Sequence, residues 1–462
     1  MKNKKKILYV LYGWPPNVNG GVILYVENMK RELEKKGLDV YILHNGKFNF
    51  FRKNPYIKRS KNNIYELINA FHFINIEDNP YSDKFYDKLF IKLLKEINPE
   101  IIHFHDIVGM PFSFVKIAKK YSHAKVINTF HNYYYICPRR DLMHIDNSHC
   151  NLCLEGYICD DCKIYISNFK RKLNILKFLL WTYSRNYIPN KLYRRLLSLI
   201  QKFIPAENLN FFTNSKMLNK NISINKKKSL RAIYAIKVLN QYTDLNLSVS
   251  TDVKNIFTKF GVDEKNNIVM SIGTRASEVI KPSNKKLSKK SLTFGYIGGP
   301  QSIKGLYLLI DAFNSLSSKY KNIQLMIYGV NKSSYEILNN RFVDNSNIQF
   351  MGSYSYSDLN KILKNFDIGV VPPIWHDNAP QVVFELLSAK IPIIGSNIGG
   401  IPDFVLNNIN GLLFSPGSID DLKEKIVTII TNPSLILKYR NNIKPMKTME
   451  EHVNELIDIY NE

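Results

Sequence analysis

Two carboxylates, Asp377 and Glu385, are separated by seven residues at a point where the character of the chain changes. Asp377 follows an apolar run that ends near Pro372, and Glu385 lies inside the helical pattern that comes next. This spacing places one acid on a loop and the other a turn or two into a helix, so the pair can hold two parts of one polyhydroxylated ligand. Helix capping alone explains Asp377, but it does not explain an acid beyond the first turn.

Residues that could bind an anion occur twice along the chain. Gly20 and Gly21 follow the first apolar run and open a helical pattern, where glycine lets the backbone approach a phosphate and the helix N-terminus offers N–H groups. Lys304, next to Gly305, is predicted at the start of a later helix, where a cation opposes the helix dipole. An anionic ligand near Lys304 is therefore indicated, and a solvated surface lysine is the alternative.

Histidines mark the ends of two predicted strands. His131 ends the strand in TFHNYYYICP, where it either has a structural role or faces a ligand at the carboxyl end of the sheet. His103 and His105 are two residues apart and therefore share one face of a strand. Of these two, only His105 is expected to reach the ligand edge.

The five cysteines of the chain are clustered. Two C-x2-C pairs, separated by five residues, favour a four-thiolate structural zinc site, with an iron–sulfur cluster as the less favoured alternative and unliganded thiols as a third. One cysteine is then a spare or replaces a ligand. The candidate ligands are Cys137, Cys150, Cys153, Cys159 and Cys162.

Strands and helices must alternate to position these residues. One alternating series starts at Ile7 and includes predicted strands at Asn69–Ile76 and Lys125–Phe130 and a helix at Lys84–Ile97. A second series starts at Leu292 and contains five predicted strands. Short buried strands between amphipathic helices predict parallel sheets that are covered on both faces, with ligands at the carboxyl ends of the strands. The polar segment Lys281–Lys290 is the predicted linker.

Length and charge limit the class of protein. A chain of 462 residues is too long for one core, and a net charge of +25 suggests a nucleic acid, a membrane surface or a phosphorylated ligand as partner, unless it reflects compositional bias alone. The apolar run Ile7–Tyr12 is too short for a signal peptide, and no run of 18 apolar residues exists. We therefore expect a cytoplasmic protein.

Residues 163–205 carry ten Lys and Arg residues and no acid, interleaved with long apolar runs. This pattern is typical of an amphipathic segment that lies on an anionic membrane surface. A helical hairpin packed against its own domain is the alternative. In the first case the protein is peripheral at the inner face of the cell membrane.

Several motifs together resemble the retaining glycosyltransferases of the GT-B fold, in particular glycosyltransferase family 4 (glycosyl transferases group 1). They are GYIGGPQSIKG, the D-x7-E spacing and GGIPD in the second half, with WPPNVNGGVILYVENMKRELEKKG, IIHFHD and TFHNYYYICP in the first. The resemblance implies two doubly wound Rossmann-like domains facing each other across a cleft. Residues 1–280 would form the acceptor-side domain with an insertion at about 138–240, residues 281–445 the donor domain, and residues 446–462 a helix crossing back.

The resemblance also implies roles for individual residues. It assigns the donor diphosphate or reacting sugar to Gly20 and Gly21, the diphosphate to Lys304, sugar hydroxyls to Asp377, the ribose to Glu385, and the donor sugar or developing charge to His131. The other implied donor contacts are Gly298, Asn378, Ala379, Pro380, Gln381, Gly399 and Gly400. The family usually has Arg where this chain has Gly299, and Arg275 is a candidate to supply that charge.

The implied reaction is transfer of a sugar, with retention, from a UDP- or GDP-sugar to a glycan or lipid-linked acceptor in surface polysaccharide assembly. The leaving diphosphate can accept the proton, so positioning and charge stabilisation suffice and no catalytic metal is expected. A nucleotide-sugar isomerase or epimerase on the same fold is one alternative. A zinc-containing nucleic-acid-binding protein is disfavoured, because the basic residues alternate with aliphatic side chains where exposed stacking platforms would be needed.

Overall fold

A computed structural model describes residues 4–15, 20–46, 49, 52, 54–69, 81–137, 139–143, 150, 230–287, 291–333 and 345–462. The chain divides into two compact units. The first comprises Met1–Leu247 and Thr258–Asn267, and the second Ser248–Phe257 and Ile268–Glu462. The domain boundary at residue 280 and the return of the last helix to the first domain stay predictions.

Nearly all of an eight-stranded sheet lies in the first unit, with the strand order β3-β4-β2-β1-β5-β6-β7-β8. Its central strands β2, β1, β5 and β6 pair in parallel, as predicted. The strands are β1 Lys6–Leu11, β2 Asp39–Asn45, β3 Tyr56–Ser60, β4 Ile64–Ile68, β5 Ile101–Phe104, β6 Lys125–Phe130, β7 Leu245–Ser248 and β8 Asn267–Val269.

The prediction of a wholly parallel first sheet is wrong at its edge, where β3 and β4 form an antiparallel hairpin. Asn62 and Asn63 both adopt positive φ in the connecting turn, a conformation that asparagine tolerates better than most residues. The strand predicted to begin at Asn69 is also misplaced, because β4 ends at Ile68 and Asn69 has a φ of 59°. Residues 70–76 of that prediction lie outside the described part of the chain.

Helices cover this sheet with their apolar sides. In α2 the Asp83 carboxylate accepts hydrogen bonds from the N–H groups of Phe85 and Tyr86, an N-cap that contributes about 1 kcal/mol. The same helix buries Phe90 and Leu94. The helices before the predicted linker are α1 Gly21–Lys35, α2 Lys84–Ile97, α3 Ser113–Tyr121, α4 Leu230–Tyr242, α5 Thr251–Lys259 and α6 Ala276–Val279.

The second unit contains a six-stranded sheet in the order β11-β10-β9-β12-β13-β14, and all of its strand pairs are parallel. The strands are β9 Leu292–Ile297, β10 Ile323–Tyr328, β11 Ile348–Gly352, β12 Ile368–Val371, β13 Ile393–Ser396 and β14 Gly411–Phe414. The first five were predicted, whereas β14 was not. Because the strands are parallel, their carboxyl ends meet at one edge, here called the carboxyl edge of the second sheet.

The helices of this part are α7 Leu306–Ser317, α8 Leu359–Leu363, α9 Gln381–Ser388, α10 Ile419–Thr431, α11 Ser434–Asn442 and α12 Met449–Asn461. The prediction that Lys304 starts a helix is wrong. Ser302–Lys304 form a single 3₁₀ turn, and Gly305 then adopts a left-handed conformation with φ 70° before α7 begins. No helix among the described residues is long and apolar enough to cross a membrane.

The predicted linker is anchored to the second unit at two points. The Lys281 backbone N–H donates to the Asn360 side chain, and the Lys285 ammonium donates to Asp367 Oδ2 at 2.8 Å. The Asp367 side chain is fully buried. A charge in such a position requires a partner, which Lys285 supplies.

Candidate functional site

The residues predicted to bind a donor follow the strands of the second sheet at its carboxyl edge. Gly298 comes directly after β9, the segment 372–380 joins β12 to α9, and Gly399 and Gly400 follow β13. Ligands of parallel sheets bind outside the carboxyl ends of the strands. The loops of the second sheet therefore gather seven of the predicted residues in the region where a ligand is expected. Lys304 lies on the connection between β9 and α7, and α9 adds Gln381 and Glu385.

Lys304 and Asp377 are in direct contact. The Lys304 ammonium donates to Asp377 Oδ2 at 2.6 Å and lies 5.2 Å from the centre of the Trp375 ring. The lysine side chain is 37% exposed and the aspartate side chain 12%. The sequence predicted that both residues meet the same ligand, but it gave no sign that they pair with each other.

The loop that carries Asp377 is fixed through its backbone. Ile374 N–H donates to Ile303 C=O at 2.9 Å, which ties this loop to the turn that carries Lys304. On the other side, Gly400 N–H donates to Asp377 C=O at 2.8 Å. A Cβ atom added to Gly399, whose φ is 63°, would lie 2.3 Å from that same carbonyl oxygen. The close approach explains why two glycines stand in this turn.

Asn378 has an unusual side chain for a buried residue. It is 5% exposed, and neither its amide oxygen nor its amide nitrogen has a hydrogen-bond partner among the described residues. Unpaired buried polar groups are rare in proteins, and each requires an explanation such as a missing water or ligand. Ala379 and Pro380 lead from Asn378 into α9, which begins at Gln381.

Glu385 lies in the second turn of α9 and is 9% exposed. Burial raises the pKa of its carboxyl group to about 7. Tyr354 and Tyr356, which follow β11, stand near it, and their pKa values are raised to about 12 by burial and then by the charge of Glu385. Both tyrosines keep an exposed ring surface, 36% and 43%. A buried carboxylate beside exposed aromatic rings suits a ligand with hydroxyl groups and a flat ring.

The charge of Arg275 acts on Tyr356. It lowers the pKa of the Tyr356 hydroxyl, but burial raises this pKa by more. Within the described residues no hydrogen bond joins Arg275 to Lys304 or Asp377. Its role as the cation that replaces the usual Arg at Gly299 stays a prediction. Gly299 C=O accepts a hydrogen bond from the Tyr296 hydroxyl at 2.9 Å.

Two contacts at this edge were not foreseen. His376 Nδ1 lies 2.8 Å from Asp252 Oδ2, and Thr251 N–H donates to Asp403 Oδ2 at 2.7 Å. They hold the start of α5 against the loops after β12 and β13. No local sequence pattern predicts them, because the partners are more than a hundred residues apart.

In the first unit, His105 and His131 follow the adjacent strands β5 and β6, and His105 Nδ1 lies 3.3 Å from His131 Nε2. Burial lowers the pKa of His131 to about 3, so its imidazole is neutral at physiological pH. His103 stacks on His105 with ring centres 4.0 Å apart, which confirms that they share a face. His103 is fully buried and bonds to Thr129.

Gly20 and Gly21 lie at the start of α1, with Gly20 as its N-cap residue in an extended conformation (φ 174°). A Cβ atom on Gly20 would approach the Tyr12 hydroxyl to 2.9 Å. Asp106, which sequence reasoning passed over, lies directly after His105, and burial raises its pKa to about 6. Its oxygens accept from Val108 N–H and the Asn132 amide. Its place at the carboxyl end of a strand was the signal that could have identified it.

The cysteine cluster and the basic segment are only partly described. Cys137 and Cys150 are both buried. Cys153, Cys159, Cys162 and residues 163–205 lie outside the described residues, so zinc and membrane binding stay predictions. Elsewhere, within the described ranges, no group of three or more His, Cys, Asp or Glu side chains is arranged to hold a metal ion.

Comparison with known families gives two matches that together span most of the chain. Residues 19–203 match the family described as Glycosyltransferase Family 4. Residues 277–446 match the family described as Glycosyl transferases group 1.

Three curated relatives match parts of the chain. An uncharacterized glycosyltransferase of Methanocaldococcus jannaschii is 28% identical over 45% of this chain and 56% of its own length. The capsular polysaccharide biosynthesis glycosyltransferase CapM of Staphylococcus aureus is 25% identical over 39% and 48%. The poly(ribitol-phosphate) alpha-N-acetylglucosaminyltransferase of S. aureus is 23% identical over 50% and 44%. The chain thus spans about half the length of these relatives.

Solved structures resemble the chain over its whole length. They include sucrose-phosphate synthase from Thermosynechococcus elongatus (TM-score 0.62, 14% identity, 99% and 98% of the two chains). Anabaena HepE in complex with UDP and glucose has a TM-score of 0.59 with 12% identity and 99% of each chain covered. TarM has a TM-score of 0.58 with 13% identity and the same coverage. At these identities the likeness concerns the fold, and it confirms the predicted GT-B fold.

Proposed function

The chain belongs to the glycosyltransferases of group 1 and family 4, and on this premise we propose that it transfers a sugar from a nucleotide sugar to a glycan or lipid-linked acceptor with retention of configuration. The observation that carries the proposal is the contact of Lys304 with Asp377 at the N-terminal end of α9. A cation and a carboxylate that meet from two neighbouring loops, next to a helix N-terminus, suit a diphosphate attached to a polyhydroxylated group.

Each part of the donor has a matching group at the carboxyl edge of the second sheet. Lys304 and the first N–H groups of α9 bind the diphosphate, and Asp377 with the Asn378 amide binds the hydroxyls of the transferred sugar. The buried Glu385 accepts hydrogen bonds from the ribose. Tyr354 and Tyr356 present their exposed ring surfaces to the nucleobase, since aromatic side chains stack on bases.

The reaction needs charge stabilisation more than it needs a protein base. As the sugar leaves the diphosphate, Lys304 and the helix N-terminus stabilise the growing negative charge. A diphosphate oxygen on the same face of the sugar accepts the proton of the acceptor hydroxyl, which gives retention. The neutral imidazole of His131 takes part as a hydrogen-bonding group and carries no charge at physiological pH.

The setting of the reaction follows from the relatives and from charge. One relative acts in capsular polysaccharide biosynthesis, and HepE was solved with UDP. We therefore place a UDP-sugar before a GDP-sugar as donor, and a surface glycan or its lipid-linked precursor as acceptor. The basic segment 163–205 would hold the enzyme at the anionic cytoplasmic leaflet, where such lipid-linked precursors are exposed.

Donor turnover tests the proposal. The protein is incubated with UDP- and GDP-sugars and a bacterial lipid-linked glycan extract, and nucleoside diphosphate release is measured together with the anomeric configuration of the product by proton NMR. We expect release from one donor, with the donor's configuration kept in the product. Inversion would contradict the retaining mechanism. Conversion of the sugar without any diphosphate release would favour the isomerase or epimerase alternative.

A further inference from the structure

We infer that Asp377 and Lys304 form a sugar-dependent gate for the diphosphate. Asp377 holds Lys304 by an ion pair, and the hydroxyls of the donor sugar release Lys304 to the diphosphate. The site then favours an intact nucleotide sugar over the nucleoside diphosphate that remains after transfer. This inference rests on the proposed function and adds a specificity-determining role for the pair.

Lys304 is engaged by Asp377 in a short ion pair. Its ammonium is 2.6 Å from Asp377 Oδ2 and packs over the Trp375 ring. In the described part of the chain, Asp377 is its one hydrogen-bond partner. A diphosphate therefore competes with the Asp377 carboxylate for the Lys304 ammonium.

Hydrogen bonds and close packing hold the backbone on both sides of the pair. Ile374 N–H is bonded to Ile303 C=O, and the Asp377 carbonyl is bonded to Gly400 N–H. The left-handed Gly305 lies so close to the Pro372 carbonyl that even a Cβ atom would overlap with it, at 1.7 Å. The exchange of partners has to occur in the side chains of Lys304 and Asp377.

The two ligands differ in what they offer to Asp377. If Lys304 turns to a nucleoside diphosphate, the mostly buried Asp377 carboxylate loses its cation and faces a second anion, which is unfavourable. A nucleotide sugar carries hydroxyl groups that can donate to Asp377 in place of the ammonium. The unpaired amide of the neighbouring Asn378 can hold the same hydroxyls. Only the nucleotide sugar supplies hydrogen-bond donors that replace the Lys304 ammonium at the Asp377 carboxylate.

Asp377→Asn is the direct test, because it removes the competing charge and keeps the size of the side chain. Dissociation constants for UDP, GDP and their sugars are measured by calorimetry for the wild type and the variant. We expect Asp377→Asn to bind the nucleoside diphosphate about fivefold more tightly, the effect of about 1 kcal/mol for a partly exposed ion pair. The affinity for the nucleotide sugar is expected to stay the same or fall.

Asp403→Asn is the matched control. Asp403 lies in the turn after β13, at the same edge, and its carboxylate bonds to Thr251 N–H instead of Lys304. Its removal changes the net charge equally but leaves the gate intact, so no comparable gain for the diphosphate is expected. Lys304→Met is expected to weaken the binding of both ligands.

Three results would overturn the gate. They are an unchanged or weaker affinity of Asp377→Asn for the nucleoside diphosphate, an equal gain for the nucleotide sugar, and the same gain in Asp403→Asn. A wild type that binds neither ligand would contradict the proposed function itself, which separates the two failures. If Asp377→Asn does not fold, as judged by its melting transition, Asp377→Ser removes the same charge and takes its place.

Discussion

Glu385 is a buried acid whose ionisation lowers the stability of the folded protein. Its carboxyl group is 9% exposed, and no hydrogen-bond donor of the described residues contacts its side chain. Burial raises its pKa from the ordinary value of 4.5 to about 7. A buried group that is costly to ionise and has no structural partner is more characteristic of a functional site than of a core.

The pH dependence of stability follows from this shift. The folded protein holds the Glu385 proton more tightly than the unfolded chain, so the free energy of unfolding falls as pH rises from about 4.5 to about 7. Above pH 7 the ionised Glu385 lowers the free energy of unfolding by its full amount, about 3 kcal/mol at most. We expect Glu385→Gln to stabilise the protein at pH 8 but hardly at pH 4.5, and to weaken nucleotide binding.

Urea unfolding at the two pH values measures this effect. Glu424→Gln is the control, since the Glu424 side chain is 71% exposed. Equal effects of Glu385→Gln at both pH values would show that the ionisation of Glu385 does not carry the penalty.

Lys304 leads to a prediction about metals. If Lys304 and the α9 N-terminus supply the positive charge, donor turnover should persist in excess EDTA. Lys304→Met should then lower kcat by about 10²- to 10³-fold, as removal of one transition-state donor does elsewhere. Loss of turnover in EDTA that Mg²⁺ or Mn²⁺ restores would contradict this account.

At the scale of elements, the turns determine where the site residues lie. Gly305 adopts φ 70° and Gly417 adopts φ 79°, but only Gly305 has a neighbour, the Pro372 carbonyl, where a Cβ atom would stand. In Gly305→Ala and Gly417→Ala the left-handed backbone conformation should lower the free energy of unfolding by about 1 kcal/mol. Gly305→Ala should lose a further ~1–3 kcal/mol through the overlap, and its turnover should fall because the Lys304 turn is displaced.

Thermal unfolding and turnover of the two variants check this prediction. Gly417→Ala is expected to keep its turnover, since nothing lies within 4 Å of the added atom. Equal losses of stability in the two variants would mean that the contact between the Lys304 turn and the Asp377 loop is not tight.

The sequence predicted most elements where local signals were strong. Helix α2 and strand β6 were found with their observed bounds, because their apolar spacing is regular and Asp83 caps the helix. The β3–β4 hairpin and β14 were missed, since β3 is largely exposed and β14 is a short apolar run between turn-forming residues. The acid pair at 377 and 385 could be predicted from spacing, whereas the contacts of Lys304 and His376 depend on tertiary structure.

At the scale of the whole molecule, the fold could be predicted from two alternating series of strands and helices. The choice of nucleotide, sugar and acceptor could not, because it depends on the shapes of loops that no local pattern determines. The net charge of +25 is a global property with its own consequence. It should increase affinity for anionic surfaces at low salt.

Vesicle binding tests this consequence. We expect the protein to sediment with phosphatidylglycerol vesicles and not with phosphatidylcholine vesicles, and to be released at about 0.5 M salt. Replacing Lys170, Arg171 and Lys172 with Gln should weaken binding, at about 1 kcal/mol for each charge near the surface.

A control with the same charge change replaces three exposed lysines of the second unit, Lys321, Lys361 and Lys364. If both triple variants bind the vesicles equally well, net charge alone explains the binding, and the segment 163–205 does not contribute more than other lysines.

A melting experiment with ligands tests whether the carboxyl edge of the second sheet binds a nucleotide sugar. The protein is unfolded with UDP, GDP, ADP, CMP and dTDP and with UDP- and GDP-sugars, beside Glu385→Ala. A ligand at about 100 times its dissociation constant stabilises the folded state by about 2.7 kcal/mol. We expect one nucleotide and its sugars to raise the melting temperature of the wild type and not of Glu385→Ala. No shift with any ligand, or an undiminished shift in the variant, would contradict it.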